Sequence, residues 1–438
     1  NISAHCWNNP SLHLCFPQAF NAGKEGKIPF EIKRFDLSML QEYLDPNSQI
    51  AGIVTSKGDA AWFTNKAPVV NVELNSNAIN FVQKLDYRRF PLSLTPVKIV
   101  ANMADNQLKL KTDVKVENNG RLVSDVVISD LTNKRALSGT INLDHFNLRL
   151  VQPLLSSGEN VDGDINARLK VGGTALAPLL HGNLNLTGLA AKSNMMPFDV
   201  VGGNLALNFT GASSTLRGNI QTPESNLALD GDANWQKLDA WYTRVGAKAN
   251  RFRVDIPNIA KVDVSPDIEV KVTPKALILG GTVDIPWARI AVEELPESAV
   301  TVSGDEVIIK VSKQAHRAKI GHQTVKVTKN LPQTGSGMAI NADIAINIGN
   351  DVKLDAYGLK TGLNGQVKVR QGSKGLGLYG QVYLNNGTFA SFGQDLVIRK
   401  GLISFTGLPS QPTLDIEAIR NPEAIEDANV TAGVRVTE

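Results

Sequence analysis

Along most of the chain a glycine is followed by aliphatic residues at every second position. The phrase occurs as Gly139, Ile141, Leu143; Gly163, Ile165, Ala167; Gly182, Leu184, Leu186; Gly203, Leu205, Leu207; Gly281, Val283, Ile285; Gly365, Val367, Val369; and Gly380, Val382, Leu384. A period of two puts alternate side chains on opposite faces of a strand, one apolar and one polar. Runs of about five to ten residues with this alternation are separated by turn-forming sequences, among them Asn118-Asn119-Gly120, Asn385-Asn386-Gly387 and Gly335-Ser336-Gly337. The pattern predicts an all-β protein, one long β-sheet with a continuous apolar side and a few short helices.

Helical periodicity is scarce. One candidate runs from Leu37 to Leu44, with Leu37, Leu40 and Leu44 on one face and Asp36 as N-cap. It belongs to a longer internal repeat: Phe35, Leu37, Gln41, Leu44, Ile50 and Gly52 match Phe146, Leu148, Gln152, Leu155, Val161 and Gly163 at a constant offset. Self-similarity of this kind points to an array in which each unit stacks on its neighbour, with the helical pieces covering an edge or end of the sheet. Pro153 replaces Glu42 in the second copy and is expected to shorten that helix or shift its start.

Three sections are expected: 1–145, 146–337 with a basic insertion near 304–337, and 338–438, where alternation is densest. The insertion carries Lys310, Lys313, His316, Arg317, Lys319, His322, Lys326 and Lys329. It reads as a solvated hairpin or as a surface for anionic headgroups or an acidic partner. Over the whole chain, 45 basic residues stand against 42 acidic ones. The small excess gives no reason to expect nucleic acid as a partner. No apolar run reaches the roughly 18 residues of a membrane span. The uncharged stretch from Val171 to Ala191 has strand periodicity and is expected to be a strand pair. The sequence opens without Met or a charged-then-apolar leader and still alternates at its end, so it reads as a segment of a longer polypeptide.

Cys6 and Cys15 flank a stretch with Asn8-Asn9-Pro10 as its turn. A disulfide across a hairpin in an oxidising compartment is the preferred reading. Two free thiols are one alternative. A zinc site with His5 and His13 is another, although the spacings match none of the usual finger patterns.

Other chemical motifs fail on context. Gly375, Gly377 and Gly380 spell a dinucleotide-binding glycine pattern, but Gln381 to Leu384 continue as a strand where the phosphate-binding helix should open. Asp230, Asp232 and Asn234 imitate a calcium loop, yet Trp235 and Trp241 occupy the required Gly and Glu positions. The six histidines are scattered, and Glu293 and Glu294 alternate faces. No enzyme and no cofactor is expected.

The apolar stripe itself remains. It could pack against a second sheet as a filled core, or line an incompletely filled trough. Scarce aromatics and few covering helices favour the trough, whose lining would be Ile165, Leu169, Leu184, Leu186, Leu205, Leu207, Val283, Ile285, Val367, Val369, Val382, Leu384, Ile403 and Phe405. Periodicity alone leaves the two readings level.

Several phrases tip that balance. Leu169 to Pro178 with Gly182 to Leu186, Asp395 to Gly407 with Pro412 to Arg420, and Cys6-Trp7 with Leu14-Cys15 and Phe35-Asp36-Leu37 resemble the AsmA-like family, the second group resembling its C-terminal DUF490 region. The resemblance covers essentially the whole chain. It implies a periplasmic protein of Gram-negative bacteria, held to the inner membrane by an N-terminal anchor outside this segment. It further implies an elongated curved β-sheet, a taco- or gutter-like groove with a hydrophobic interior, that carries phospholipids between the two membranes, and an outer-membrane barrel, TamA, as partner. The competing expectation is a scaffold that pairs strands with outer-membrane clients or with TamA.

Overall fold

The computed structural model describes residues 1–194, 196–292, 339–372, 375–391, 393–421, 423 and 433–437. The basic stretch Lys310–Lys329, the Gly335–Gly337 turn and the Glu293–Glu294 pair lie outside them. The described residues form 24 strands and two short 3-10 helices, an all-β fold built from open, curved, mixed sheet. None of the described helices is long and apolar enough to cross a membrane. Two compact units are present, Asn1–Ile220 with Asp232–Leu238, and Gln221–Gly231 with Asp239–Glu438.

The first unit is an antiparallel meander. It starts with the hairpin β1 (His5–Asn8) and β2 (Leu12–Phe16), where Cys6 lies directly opposite Cys15 and the two form a disulfide. The turn between them is an Asx turn, with Asn9 Oδ1 accepting from the amides of Ser11 and Leu12, each at 2.8 Å. The meander continues through β3 (Gly26–Asp36), β4 (Ser48–Trp62), β5 (Val69–Leu85), β6 (Arg88–Ala104), β7 (Gln107–Val116), β8 (Arg121–Ser129), β9 (Ala136–Asn147), β10 (Asn160–Gly173), β11 (Pro178–Lys192) and β12 (Gly202–Gly211). From β2 to β12 each strand pairs antiparallel with the next. The uncharged stretch around Val171–Ala191 is the β10–β11 pair.

The internal repeat survives as structure around its two helices. The helix η1 (Leu37–Tyr43) and the helix η2 (Leu148–Leu154) begin and end at matching positions of the two copies. Asp36 Oδ1 accepts from the Ser38 amide at 3.0 Å, and Asn147 Oδ1 accepts from the Arg149 amide at 2.8 Å. The Gln41 side-chain amide donates to Ser48 O at 2.6 Å, and that of Gln152 donates to Glu159 O at 2.7 Å. Phe35 lies opposite Val54, and Phe146 opposite Ile165, each beside a register shift. Both helices are 3-10 turns, because seven residues between two strands leave no room to propagate an α-helix. The expectation for Pro153 fails: η2 is neither shorter nor displaced. Proline's fixed φ suits a 3-10 turn, and the exit is held by Gln152, whose carbonyl accepts from the Leu155 amide at 3.0 Å.

Along the chain β13 (Ser213–Gln221) and β14 (Asn226–Asn234) come after β12. In the second unit, β15 (Tyr242–Lys248) and β16 (Phe252–Ile256) lie end to end along β17 (Ala260–Val272), which pairs antiparallel with β18 (Ala276–Val292). The next described strand, β19 (Ala339–Ala356), runs parallel to β18, with Ala276 opposite Ala339. Antiparallel pairing then resumes through β20 (Leu359–Gly372), β21 (Gly375–Ser391), β22 (Gln394–Gly407), β23 (Thr413–Arg420) and β24 (Gly433–Thr437). Asn385-Asn386-Gly387 is not a turn but lies inside β21. Asn386 takes φ +49°, and the pairing jumps from Gly362–Asn385 to Lys360–Thr388. The dipeptide makes a bulge there because β20 continues to pair on its far side. β21 is strand throughout, so no helix follows Gly375, Gly377 and Gly380.

Candidate functional site: an apolar sheet face

Directly opposed residues of paired strands share a face, so the register alone assembles the stripe. In the first unit one row runs Leu122, Leu143, Ala167, Leu184, Leu207, and the next runs Phe146, Ile165, Leu186, Leu205. Leu169 faces Ile141 and Gly182 in a third row. All six stripe residues chosen from this part of the sequence therefore lie on one face. In the second unit Val283, Ile346, Val367, Gly380 and Phe405 form one row, and Ile285, Ile348, Gly365, Val382 and Ile403 form another. Val369 continues beside Ile344, and Leu384 lies opposite Leu363. The eight residues chosen from this part are likewise gathered on one face.

Coverage of that face is partial. Leu186, Val367, Val382 and Leu384 are buried at 6–9% exposure, and the other ten stripe residues are half-buried. Among the described residues no large side chain falls below 2% exposure; the deepest positions are small, Ala167 and Ala288 at 1%. A sheet packed face to face on another would bury its inward Leu and Ile fully. The apolar face here is a floor with a thin cover.

The two recurrent features of the sequence shape this floor. Gly182 has φ +132°, a conformation open to glycine, and a Cβ there would lie 2.0 Å from Arg168 O of the neighbouring strand. The glycine thus lets β11 close onto β10 more tightly than any side chain would allow. Gly163 serves a different end: its missing side chain is replaced by Leu148 of η2 and by Leu186, both within 3.0 Å of where a Cβ would stand. The helix η2 therefore lies on the apolar face, with Leu148 beside the stripe. η2 lies between the close of β9 and the opening of β10, so it covers the apolar face at that end of the strands.

The opposite face is polar and laced with ion pairs, including Arg121–Asp113, Arg168–Asp144, Arg244 with Asp230 and Glu269, and Lys400–Asp415. One carboxylate is strongly perturbed. Glu159 accepts from Ser193 Oγ at 2.6 Å, the Ser156 amide at 2.9 Å and the Asn194 amide at 3.0 Å, which holds its pKa down at about 2. It ties the loop after η2 to the end of β11. At the N-terminal hairpin His13 Nε2 sits 3.3 Å from Cys15 Sγ, and Cys6, His13 and Cys15 converge within 4.8 Å. With both sulfurs in the disulfide, only the imidazole there remains free to ligate, which does not fit a zinc site.

Residues 1–186 match the family model described as "TamB, N-terminal domain", and residues 222–438 match "TamB C-terminal domain". The chain belongs to the TamB family. The second matched region of the TamB family begins where the second compact unit does, at residue 221 or 222. A curated TamB-family relative, the "Translocation and assembly module subunit TamB" of Haemophilus influenzae, is 48% identical over 436 residues. That alignment takes in all of this chain and 33% of the relative, so the chain spans about a third of the relative's length.

Proposed function

We propose that this chain is a section of a non-enzymatic lipid conduit in the periplasm. In this reading its apolar sheet faces shelter phospholipid acyl chains on their way between the inner and outer membranes of a Gram-negative envelope. The relative's name places that protein in a translocation and assembly module; by extension this chain would serve such a module, anchored in the inner membrane through a segment outside the one described and partnered by the outer-membrane barrel TamA. The observation that carries the reading is the half-covered stripe: continuous rows of aliphatic side chains, none of the large ones fully buried. Each methylene moved from water onto such a surface gains roughly 0.8 kcal/mol, so a chain of about a dozen gains about 10 kcal/mol. Similar aliphatic rows at successive positions give a hydrocarbon tail many nearly equivalent resting places.

The test is photocrosslinking at the stripe with lipid mass spectrometry on the purified chain. Crosslinkers at Leu184 and Val367 should capture lipid, and those at the outward neighbours Asn183 and Lys368 should not. Leu184→Asp and Val367→Asp should abolish capture while leaving strand content intact. Equal capture from both faces would refute the conduit. A scaffold reading draws on one observation, the exposure of every residue of β24, including Val434 and Val436. It predicts that Val434→Pro impairs assembly of outer-membrane clients while lipid capture at the stripe persists.

A further inference from the structure

On the polar face of the second unit the register sets three cations side by side. Lys261 of β17 lies opposite Arg289 of β18, and Arg289 lies opposite Lys353 of β19. The row then continues through Gly362 and Asn385. Like charges directly opposite one another on a sheet are destabilising; of these three, Arg289 is ion-paired with Asp351, and Lys261 also lies opposite Asp255 of the neighbouring strand. Immediately behind, one residue along each strand, runs an apolar row of Val262, Ala288, Val352, Leu363 and Leu384. The cations are thus carried on the reverse of the most deeply buried part of this unit.

Arg289 is fixed in place. Its guanidinium donates to Asp351 Oδ1 at 2.7 Å and to the carbonyls of Ala288 and Asp351 at 2.9 Å, and it stacks over the Trp287 ring at 5.0 Å. Lys353 and Lys360 are exposed and have no ion-pair partner among the described residues. Arg289 and Lys353 of this row, though not Lys261, line a cavity of about 620 Å³ together with Lys360, Asn385, Asn386 and Thr388. The cavity has a structural cause. Register shifts fall at Ile285/Trp287, Ile348/Val352 and Lys360/Gly362 on adjoining strand pairs. Bulges bend strands and re-aim side chains, and at Gly362 the Asn385 side chain takes the space a Cβ would occupy.

We propose that this cavity is a binding site for a phosphate ester. A fixed guanidinium, two mobile ammonium groups, side-chain amides and a hydroxyl supply donors to every oxygen of a phosphate. Asp355, the one carboxylate lining the cavity, disfavours a polyanion and leaves room for a single phosphate group. Ile290, Val352 and Leu354 complete the lining beside these polar groups, and the proposal does not depend on the acyl-chain reading.

The test uses the whole chain and two probes: glycerol 3-phosphate by calorimetry, and vesicles containing phosphatidylglycerol compared with phosphatidylcholine alone by flotation. The Lys353→Gln/Lys360→Gln variant should weaken binding at least about tenfold, since both charged donors to the phosphate are lost. The Lys353→Arg/Lys360→Arg variant should retain it. Saturable binding of glycerol 3-phosphate that the double variant loses supports the site and assigns it a soluble ester. Binding to phosphatidylglycerol vesicles alone, lost in the same variant, supports the site with a lipid headgroup as its source. Absence of binding to either probe overturns the proposal. So does an equal loss in Lys109→Gln/Lys170→Gln, which removes two exposed lysines of the first unit and would reveal only diffuse attraction.

Discussion

The glycine at 182 gives the sharpest test of how the apolar floor is built. In Gly182→Ala the new Cβ would stand 2.0 Å from Arg168 O and 3.0 Å from Arg168 C. A carbon meets a carbonyl oxygen comfortably at about 3.3 Å, so β11 must retreat from β10 by about 1.3 Å at that point. A non-glycine residue held at φ +132° adds about 1–3 kcal/mol of backbone strain. The retreat also opens roughly two ladder hydrogen bonds, at about 1 kcal/mol each. The expected local cost is about 3–5 kcal/mol. Gly188 is the matched control: it lies on the same strand, has φ +63°, and nothing stands within 4 Å of its would-be Cβ. Gly188→Ala should cost about 1–2 kcal/mol, the left-handed penalty alone. Hydrogen exchange of the β10 and β11 amides reads the difference locally, which suits a large chain better than a global unfolding midpoint. A gap of about 2–3 kcal/mol corresponds to about 30- to 140-fold faster opening around Gly182. If the two variants exchange at the same rate, the tight closure of β11 onto β10 is not what the glycine is for.

Three further outcomes are expected. Gln41→Ala and Gln152→Ala remove equivalent bridges and should each loosen their own 3-10 turn by about 1–2 kcal/mol, measured as exchange at Leu44 and Leu155; an effect in one copy alone would contradict the structural equivalence of the repeats. Glu159 has a folded pKa below its unfolded value, so its contribution is present above the ordinary value of 4.5 and is lost as pH falls toward about 2; in Glu159→Gln, exchange at Ser193 and Asn194 should lose that acid dependence. Reduction of Cys6–Cys15 opens a loop with a sequence separation of 9 and should raise exchange in β1 and β2 by an amount equivalent to about 2–3 kcal/mol, while the β10–β11 amides stay unchanged.

The faces of the sheet were legible in the sequence because side-chain direction follows a period of two and needs no knowledge of partners. The repeated helix was legible through its capping residues and its glutamine, but its type was not, since seven residues span too few turns to separate 3.0 from 3.6 residues per turn. Asn386-Gly387 misled because its chemistry specifies a local backbone shape and not whether the neighbouring strand goes on pairing. Strand direction leaves no mark on periodicity, and so the parallel step from β18 to β19 was invisible. The same holds for the alignment of Lys261, Arg289 and Lys353: each looks like an ordinary solvent-facing residue until pairing between distant segments sets them abreast.

That parallel step has a consequence for assembly during synthesis. Every antiparallel partner within the first unit's meander is delivered by a short connection, so the strands from β2 to β12 can add one after another as the chain emerges. At β18 this zippering stalls, because Ala276 must await Ala339, 63 positions later. Until then β18 lacks its β19 partner, and β19 through β23 can register among themselves before docking. The second unit should therefore mature in a separate, slower phase, and any factor that guards nascent sheet edges would be needed most at that moment.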